Sequence, residues 1–218
     1  MTRITPTFEY EVALWEQGYR CIVGVDEVGR GPLAGPVVAG AAVLYSPEVD
    51  HSWLPDVRDS KMLTAKQRER LAPLIRAEAF AVGVGVVSPR MIDDIGIAPA
   101  CRLAMMRAIA ALPCTPDFII VDGRDRLSNA TLPQKTIIDG DALTYTIAAA
   151  SVVAKVYRDA LMVRLDSYYP GWGFAQHKGY SCTAHFDAIR RLGPSPVHRM
   201  CFSPFRVQEE PAVQGVLL

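Results

Sequence analysis

The sequence predicts an α/β protein built on a mixed β-sheet that is flanked by helices. Short apolar runs rich in Val, Ile and Ala have the length and composition of buried strands. Strands dominate the first part of the chain and alternate with helical segments later, an order typical of a mixed sheet with helices on both faces. At 218 residues, half of them apolar, the chain is long enough to bury one full core.

The apolar runs predict five strands. In chain order they span residues 21–26, 37–45, 80–87, 118–122 and 136–138. The connection between the first two strands is short and rich in Gly and Pro, whereas a parallel crossover needs a dozen or more residues. We therefore expect these two strands to pair antiparallel.

The segments between the strands predict helices. They span residues 9–18, 65–77, 99–112, 144–167 and 184–192. The predicted buried residues are Tyr10, Leu14 and Trp15 in the first helix and Leu103, Met106 and Ile109 in the third. Thr64 is the expected N-cap of the second helix. The small residues 148–151 suit close approach of the fourth helix to the sheet.

We expect residues 1–205 to form a single domain and residues 206–218 a flexible tail. From about residue 171 the composition changes to Gly, Pro, aromatic and basic residues, which predicts a distinct C-terminal helical segment. No apolar run reaches the length of a membrane span, and the N-terminus has no apolar stretch typical of a secretory signal. Five dispersed cysteines without Cys-x-x-Cys spacing argue against a disulfide framework or a zinc site and favour the cytoplasm.

Four acidic residues occupy strand ends or a helix entry, where α/β proteins gather their sites: Asp26, Glu27, Asp122 and Asp141. Such carboxylates repel one another unless hard cations lie between them, and oxygen ligands favour Mg²⁺ or Mn²⁺. Taken singly, Asp122 could start a turn, Asp141 could interact with a helix dipole, and Asp139 could replace Asp141. Successive strand residues point to opposite faces, so Glu27 shares a site with Asp26 only if the chain is already turning.

The order of several sequence blocks resembles the bacterial type 2 ribonucleases H, the ribonuclease HII family. The central block is Asp26-Glu27-Val28-Gly29-Arg30-Gly31. The full set spans residues 24–36, 59–63, 121–123, 140–141, 147–159, 177–180 and 196–199. The resemblance covers roughly residues 20 to 205 and implies a ribonuclease H-like α/β sheet with extra C-terminal helices.

The resemblance also implies roles for individual residues. Asp26, Glu27, Asp122 and Asp141 match the four metal-binding carboxylates. Gly29, Arg30 and Gly31 match the segment that contacts the 2′-hydroxyl at an RNA–DNA junction, where glycine permits close approach. Tyr180 matches a tyrosine that stacks on a deoxynucleotide sugar, although a half-buried loop aromatic is the simpler alternative. The expected phosphate contacts are Lys61, Lys155, Lys178 and Arg199, with an ion pair to Asp159 as the alternative for Lys155.

The implied activity is hydrolysis of the RNA strand of RNA–DNA hybrids and nicking of DNA duplexes at embedded ribonucleotides, with two Mg²⁺ or Mn²⁺ ions. Alternatives are a ribonuclease HIII-like nuclease, which usually carries an N-terminal extension, or a non-catalytic nucleic-acid-binding module. We expect a monomer, and the apolar end of the tail resembles short peptides that bind sliding clamps. The chain departs from the family pattern at Gly96, Ser181 and Cys201.

Overall fold

One mixed sheet of five strands carries the fold. The computed structural model describes residues 5–44, 51–57 and 60–205. The strands are β1 Ile22–Val28, β2 Val37–Val43, β3 Ala81–Val87, β4 Phe118–Asp122 and β5 Gln134–Ile137. They lie in the order β3-β2-β1-β4-β5, with antiparallel pairing of β1 to β2 and of β2 to β3, and parallel pairing of β1 to β4 and of β4 to β5. The predicted mixed sheet and its antiparallel first pair are confirmed.

The five predicted helices are present, and within the described residues three short α-helices lie between them. In chain order the helices are α1 Glu9–Glu16, α2 Ala65–Glu78, α3 Pro89–Ile95, α4 Ile97–Ala110, α5 Gly140–Leu143, α6 Tyr145–Tyr168, α7 Phe174–His177 and α8 Thr183–Leu192. The helices α3, α5 and α7 are too short to show a hydrophobic period. Thr64 caps α2 as predicted, since its hydroxyl accepts from the Gln67 amide. The predicted last residue of β2, Tyr45, and the predicted tail, 206–218, lie outside the described residues.

Helix α4 packs on one face of the sheet through small residues. A Cβ on Gly85 would lie 2.0 Å from the Ala104 carbonyl oxygen, so only glycine permits this approach. The residues of α4 that are buried are Ala100, Cys101, Ala104, Met105 and Ala108. The predicted core stripe is therefore displaced, because Leu103, Met106 and Ile109 lie at the margin of this face and are only partly buried.

Helix α6 packs on the opposite face in the same way. A Cβ on Gly40 would lie 2.1 Å from the Ala150 carbonyl oxygen, and one on Gly24 would lie 2.5 Å from the Thr146 carbonyl carbon. The Thr144 hydroxyl accepts from the Ile147 amide and caps the helix. The expected close approach of residues 148–151 to the sheet is confirmed.

We expect Gly40→Ala to lower the free energy of unfolding by about 2–3 kcal/mol, because the added methyl meets backbone that cannot rotate away. Urea denaturation of the purified protein measures this change. Gly31→Ala is the control: nothing lies within 4 Å of its Cβ position, so we expect a change within about 0.5 kcal/mol. Equal midpoints for the two variants would contradict the packing described here.

Helix α1 is tied to the start of α6 by a buried carboxylate. The Glu11 side chain is fully buried and accepts from the Thr146 amide at 3.1 Å and from the Thr146 hydroxyl at 2.7 Å. Burial raises the pKa of Glu11, and the Thr146 hydrogen bonds oppose that rise. Of the predicted buried residues of α1, Leu14 is buried, whereas Tyr10 and Trp15 are partly buried.

The C-terminal segment is joined by backbone hydrogen bonds to the loop that follows β1. The Leu33 amide donates to the Gly179 carbonyl, the Gly35 amide to the Val197 carbonyl, and the Arg199 amide to the Leu33 carbonyl. This places α7 and the chain after α8 beside the end of β1. In the part of the chain that the structure describes, no helix is both long and apolar enough to cross a membrane.

Candidate active site

The end of β1 presents its two acidic side chains to opposite faces of the sheet. The strand continues to Val28, so the chain does not turn at Glu27, and the two carboxylates flank the strand end from opposite faces. Asp26 pairs with Gly40, the residue that abuts α6, and it accepts a hydrogen bond from the Ser151 hydroxyl of that helix. Glu27 lines a cleft of about 230 Å³ beside α4. The site therefore surrounds the strand end.

Asp122 and Asp141 reach this strand end from the neighbouring parallel strand and from α5. The Asp122 Oδ1 accepts from the Gly140 amide at 2.7 Å, and Asp141 is 2% exposed. Lys61 Nζ lies 3.3 Å from Asp141 Oδ2. Asp139, the alternative to Asp141, is exposed and has a left-handed backbone with φ of 54°. The structure thus brings Asp141 into the carboxylate group and leaves Asp139 outside it.

The four carboxylates form one electrostatic site. Burial raises the pKa of Asp26 well above its ordinary value, and the charges of Asp122, Glu27 and Asp141 add to the rise. Burial also raises the pKa of Glu27, which the nearby Arg30 opposes and Asp122 reinforces. Arg30 Nη1 lies 3.7 Å from Glu27 Oε1. Repulsion of this kind is what a bound cation relieves.

Protein donors occupy the carboxylates in this structure. Among the described residues, no three His, Cys, Asp or Glu side chains stand as a complete metal-ligand group. The observed donors are the Glu27 amide and Ser151 to Asp26, Arg30 to Glu27, the Gly140 amide to Asp122 and Lys61 to Asp141. An all-oxygen, mutually repelling set nevertheless has the chemistry that hard divalent cations require.

The Gly29–Arg30 loop is held from below by Arg199. Its guanidinium donates to the Gly29 carbonyl at 2.6 Å, to the Arg30 carbonyl at 3.0 Å and to the Gly35 carbonyl at 3.0 Å. Arg199 is fully buried, and burial lowers its pKa to about 10, with the charge of Arg158 adding to the effect. The expected direct phosphate contact of Arg199 is therefore wrong, because its donors bind the loop.

Arg158 of α6 is a second buried arginine, to which the sequence analysis assigned no role. Its guanidinium donates to the carbonyls of Pro36, Lys178 and Ala34 at 3.0, 3.1 and 3.3 Å. Gly29, with φ of 92°, lies so close that a Cβ would be 2.2 Å from Arg158 Nε. A signal was available: Ala154, Arg158 and Met162 repeat every four residues on the buried face of α6.

Among the remaining predicted substrate residues, Tyr180 is 41% exposed. Lys155 Nζ lies 5.8 Å from that ring and also pairs with Asp159 at 2.8 Å, so the alternative for Lys155 is present. Lys178 has a left-handed backbone, and its ammonium donates to the Ala175 carbonyl. The Lys61 side chain is 79% exposed and lies beside Asp141. Phosphate contacts by these lysines stay predictions.

Two of the departures from the family pattern have structural roles. Gly96, with φ of 81°, joins α3 to α4, a backbone conformation that favours glycine. The Cys201 amide donates to Asp93 at 2.9 Å, as does the Met200 amide at 3.0 Å. These features involve the backbone and Asp93 and none of the four carboxylates of the site.

Comparison with known proteins decides the family, because the ribonuclease HII family model matches residues 23–204. The chain belongs to the ribonuclease HII family. It is 50% identical to a ribonuclease HII of Dehalococcoides mccartyi over 93% of this chain and 95% of the relative. It is 46% identical to that of Chloroflexus aggregans over 92% and 95% of the two chains. The expected ribonuclease H endonuclease activity is thereby confirmed.

Solved structures confirm the ribonuclease H-like fold. The ribonuclease H2 of Pyrococcus horikoshii superposes with a TM-score of 0.70 at 28% identity, covering 85% of this chain and 95% of that one. The structure of Bst-RNase HIII in complex with Mn²⁺ superposes with a TM-score of 0.64 at 20% identity, covering 89% and 70%, and shows the shared fold alone.

Proposed function

We propose that this ribonuclease HII cuts the RNA strand of RNA–DNA hybrids and nicks duplex DNA at an embedded ribonucleotide, leaving 5′-phosphate and 3′-hydroxyl ends. The observation that carries the proposal is the joint position of two features at the end of β1. A self-repelling group of four carboxylates lies directly beside a glycine loop whose backbone is fixed from below. The carboxylate group would carry out the cutting, and the glycine loop would select the phosphodiester bond that is cut.

The metal ligands in this proposal are Asp26, Glu27, Asp122 and Asp141. Two Mg²⁺ or Mn²⁺ ions held there would activate a water and stabilise the leaving oxygen of the phosphodiester. Asp26 and Glu27 approach from opposite faces of β1, and Asp122 influences the pKa of both, so it is the carboxylate common to the two sides. The exposed cations Lys61 and Arg30 lie at the rim, where an incoming phosphate would meet them.

Selection of the junction falls to the backbone of Gly29, Arg30 and Gly31 and to the ring of Tyr180. A 2′-hydroxyl is small and lies close to the sugar–phosphate chain, so a glycine backbone that approaches closely and is held rigidly is suited to detect it. Arg199 gives the loop that rigidity by bonding two of its carbonyls. Tyr180 is exposed on the adjoining C-terminal segment and can stack on the neighbouring sugar.

The proposed setting is a cytoplasmic monomer. The cysteines at 21, 101, 114, 182 and 201 are free thiols, as a reducing compartment requires. The archaeal ribonuclease HII of Archaeoglobus fulgidus, 25% identical with a TM-score of 0.67, has been solved as a complex with PCNA, covering 88% of this chain and 98% of that one. That complex supports a sliding-clamp contact through residues 214–218, which lie outside the described residues.

A duplex with one embedded ribonucleotide tests the proposed function. We expect magnesium-dependent cutting of that strand at the ribonucleotide and no cutting of the matched all-DNA duplex. Denaturing electrophoresis of the products measures both. Cutting of long hybrids without cutting at a single ribonucleotide would favour a ribonuclease HIII-like enzyme. Binding without cutting of either substrate would favour a non-catalytic module and refute the proposal.

A further inference from the structure

Beneath the Tyr180 loop lies a cluster of three histidines, His177, His185 and His198, packed around the buried ring of Phe174. His185 is fully buried and His198 is 2% exposed. The His177 and His185 rings stack with centroids 4.2 Å apart. None of these rings reaches the carboxylate group, so the proposed chemistry leaves the cluster without a role.

Hydrogen bonds through His198 and His185 form a relay from Ser195 to Tyr180, in which every donor points in the same direction. The Ser195 amide donates to His198 Nδ1 at 2.8 Å, which assigns the proton of His198 to Nε2. His198 Nε2 lies 3.0 Å from His185 Nε2, so it donates there and leaves the His185 proton on Nδ1. His185 Nδ1 then donates to the Tyr180 carbonyl at 2.9 Å. The Ser195 hydroxyl also lies 2.8 Å from His198 Nδ1, so every ring nitrogen of the two histidines has a partner of the required kind.

The relay ends on a backbone that is already held from the other side. The Tyr180 amide donates to the His177 carbonyl at 2.9 Å, and the Gly179 amide donates to His177 Nδ1 at 3.2 Å. With its carbonyl fixed by His185, the peptide planes on both sides of Tyr180 are fixed. The direction of its side chain from Cα is then set, although the ring itself is exposed.

We propose that His185 and His198 are positioning residues for substrate binding, which act by fixing the Tyr180 backbone so that its ring faces the nucleic acid. This inference rests on the proposed function, in which Tyr180 contacts the substrate sugar. It adds two buried residues that touch no substrate atom themselves. Without the relay the ring would sample several directions, and each binding event would have to order it.

Burial keeps the relay neutral and therefore intact. It lowers the pKa of His198 to about 4 and also lowers the pKa of His185. His177 is the titratable group that acts on both rings, and the charged residues next to the cluster in the chain, Lys178 and Arg199, are cations. A second proton on either ring would set one N–H against another, so the neutral form alone satisfies the observed contacts.

The relay also shares a short segment of the chain with Arg199, the residue that holds the glycine loop. Ser195, His198 and Arg199 lie within five residues, and Arg199 holds the carbonyls of Gly29 and Arg30. Displacing this segment would move both substrate-facing parts together. A test must therefore separate an effect on Tyr180 from a general loss of order.

A double-mutant cycle between His185 and Tyr180 makes that separation. We expect His185→Leu to raise KM for the single-ribonucleotide duplex about tenfold with a much smaller change in kcat, because orientation of a binding group is lost. In a Tyr180→Ala background the same replacement should have no further effect. His185→Asn is the matched control, because its amide nitrogen can occupy the Nδ1 position and donate to the Tyr180 carbonyl; we expect it to retain most of the wild-type KM.

Three results would overturn the proposal. They are an equal His185→Leu effect with and without the Tyr180 ring, a His185→Asn variant as impaired as the leucine variant, and a Tyr180→Ala variant with unchanged KM. If His185→Leu does not fold, His198→Asn takes its place, since it keeps an acceptor for the Ser195 amide and removes only the donor to His185. Should the wild-type protein bind without cutting, the proposed function fails, and the same cycle is measured as Kd for the duplex in EDTA.

Discussion

Asp26→Asn is expected to abolish cutting and at the same time to stabilise the fold. Loss of one ligand from the carboxylate group should lower kcat by about 10³-fold or more. The pKa of Asp26 is raised in the folded state, so its favourable contribution is complete below the ordinary pKa of 3.8 and is lost as pH rises through the folded pKa. Asparagine does not ionise, so this loss of stability does not occur in the variant. We expect its free energy of unfolding to rise by on the order of 1 kcal/mol at neutral pH.

Asp139→Asn is the matched control for this variant. Asp139 lies two residues before Asp141 but is exposed, so both its activity and its unfolding midpoint should equal those of the wild type. Denaturation at several pH values, together with the single-ribonucleotide assay, measures both variants. Substantial residual cutting by Asp26→Asn would refute the assignment of Asp26 as a metal ligand. A loss of stability at neutral pH would contradict the repulsion among the four carboxylates.

Arg199→Met should lower the free energy of unfolding by about 3–5 kcal/mol and reduce cutting by more than binding. Methionine fills much of the volume but leaves the buried carbonyls of Gly29, Arg30 and Gly35 without donors. The loop that faces the scissile bond then loses its support. Urea denaturation gives the stability, and single-turnover cutting at saturating enzyme separates misplacement of the bond from weaker binding.

The comparison variant is Arg30→Ala, in which a side chain 57% exposed is removed from the same loop. We expect its stability to stay within about 0.5 kcal/mol of the wild type, because the Arg30 side chain is largely exposed and lies 3.7 Å from Glu27, while affinity for the duplex falls. Arg199→Met with wild-type stability would show that the observed guanidinium contacts do not support the loop. Equal stability losses for the two variants would show the same.

The sequence predicts the strands well because each is a continuous apolar run bounded by turn residues. It mispredicts the face of α4, where large residues seemed the natural core and alanines occupy it instead. The reason lies on another element. Because Gly83 and Gly85 of β3 have no side chains, the backbone of α4 approaches the strand closely, and only small residues fit at the contact. Contacts of this kind join positions that no local pattern relates.

The carboxylates at the site follow from their strand ends, and the resemblance to ribonuclease HII selects them from other acids. Glu27 was expected to share the site of Asp26 only if the chain turned there, whereas the regular strand continues to Val28 and presents the two side chains on its two faces. Arg199 was assigned to the phosphate because arginine usually serves that purpose, whereas its burial depends on the loop between β1 and β2. The relay through His185 joins segments whose proximity appears only in the folded chain.

The two buried guanidinium groups also bear on how this protein attracts a polyanion. The formal net charge of the chain is zero, so attraction at a distance must come from local fields. Within the described residues, neither Arg158 nor Arg199 forms an ion pair with a carboxylate; both bond to backbone carbonyls. Both are fixed beneath the glycine loop, and buried charges are screened less by salt than surface lysines, so we expect them to contribute a positive field at the loop that favours approach of a phosphate chain.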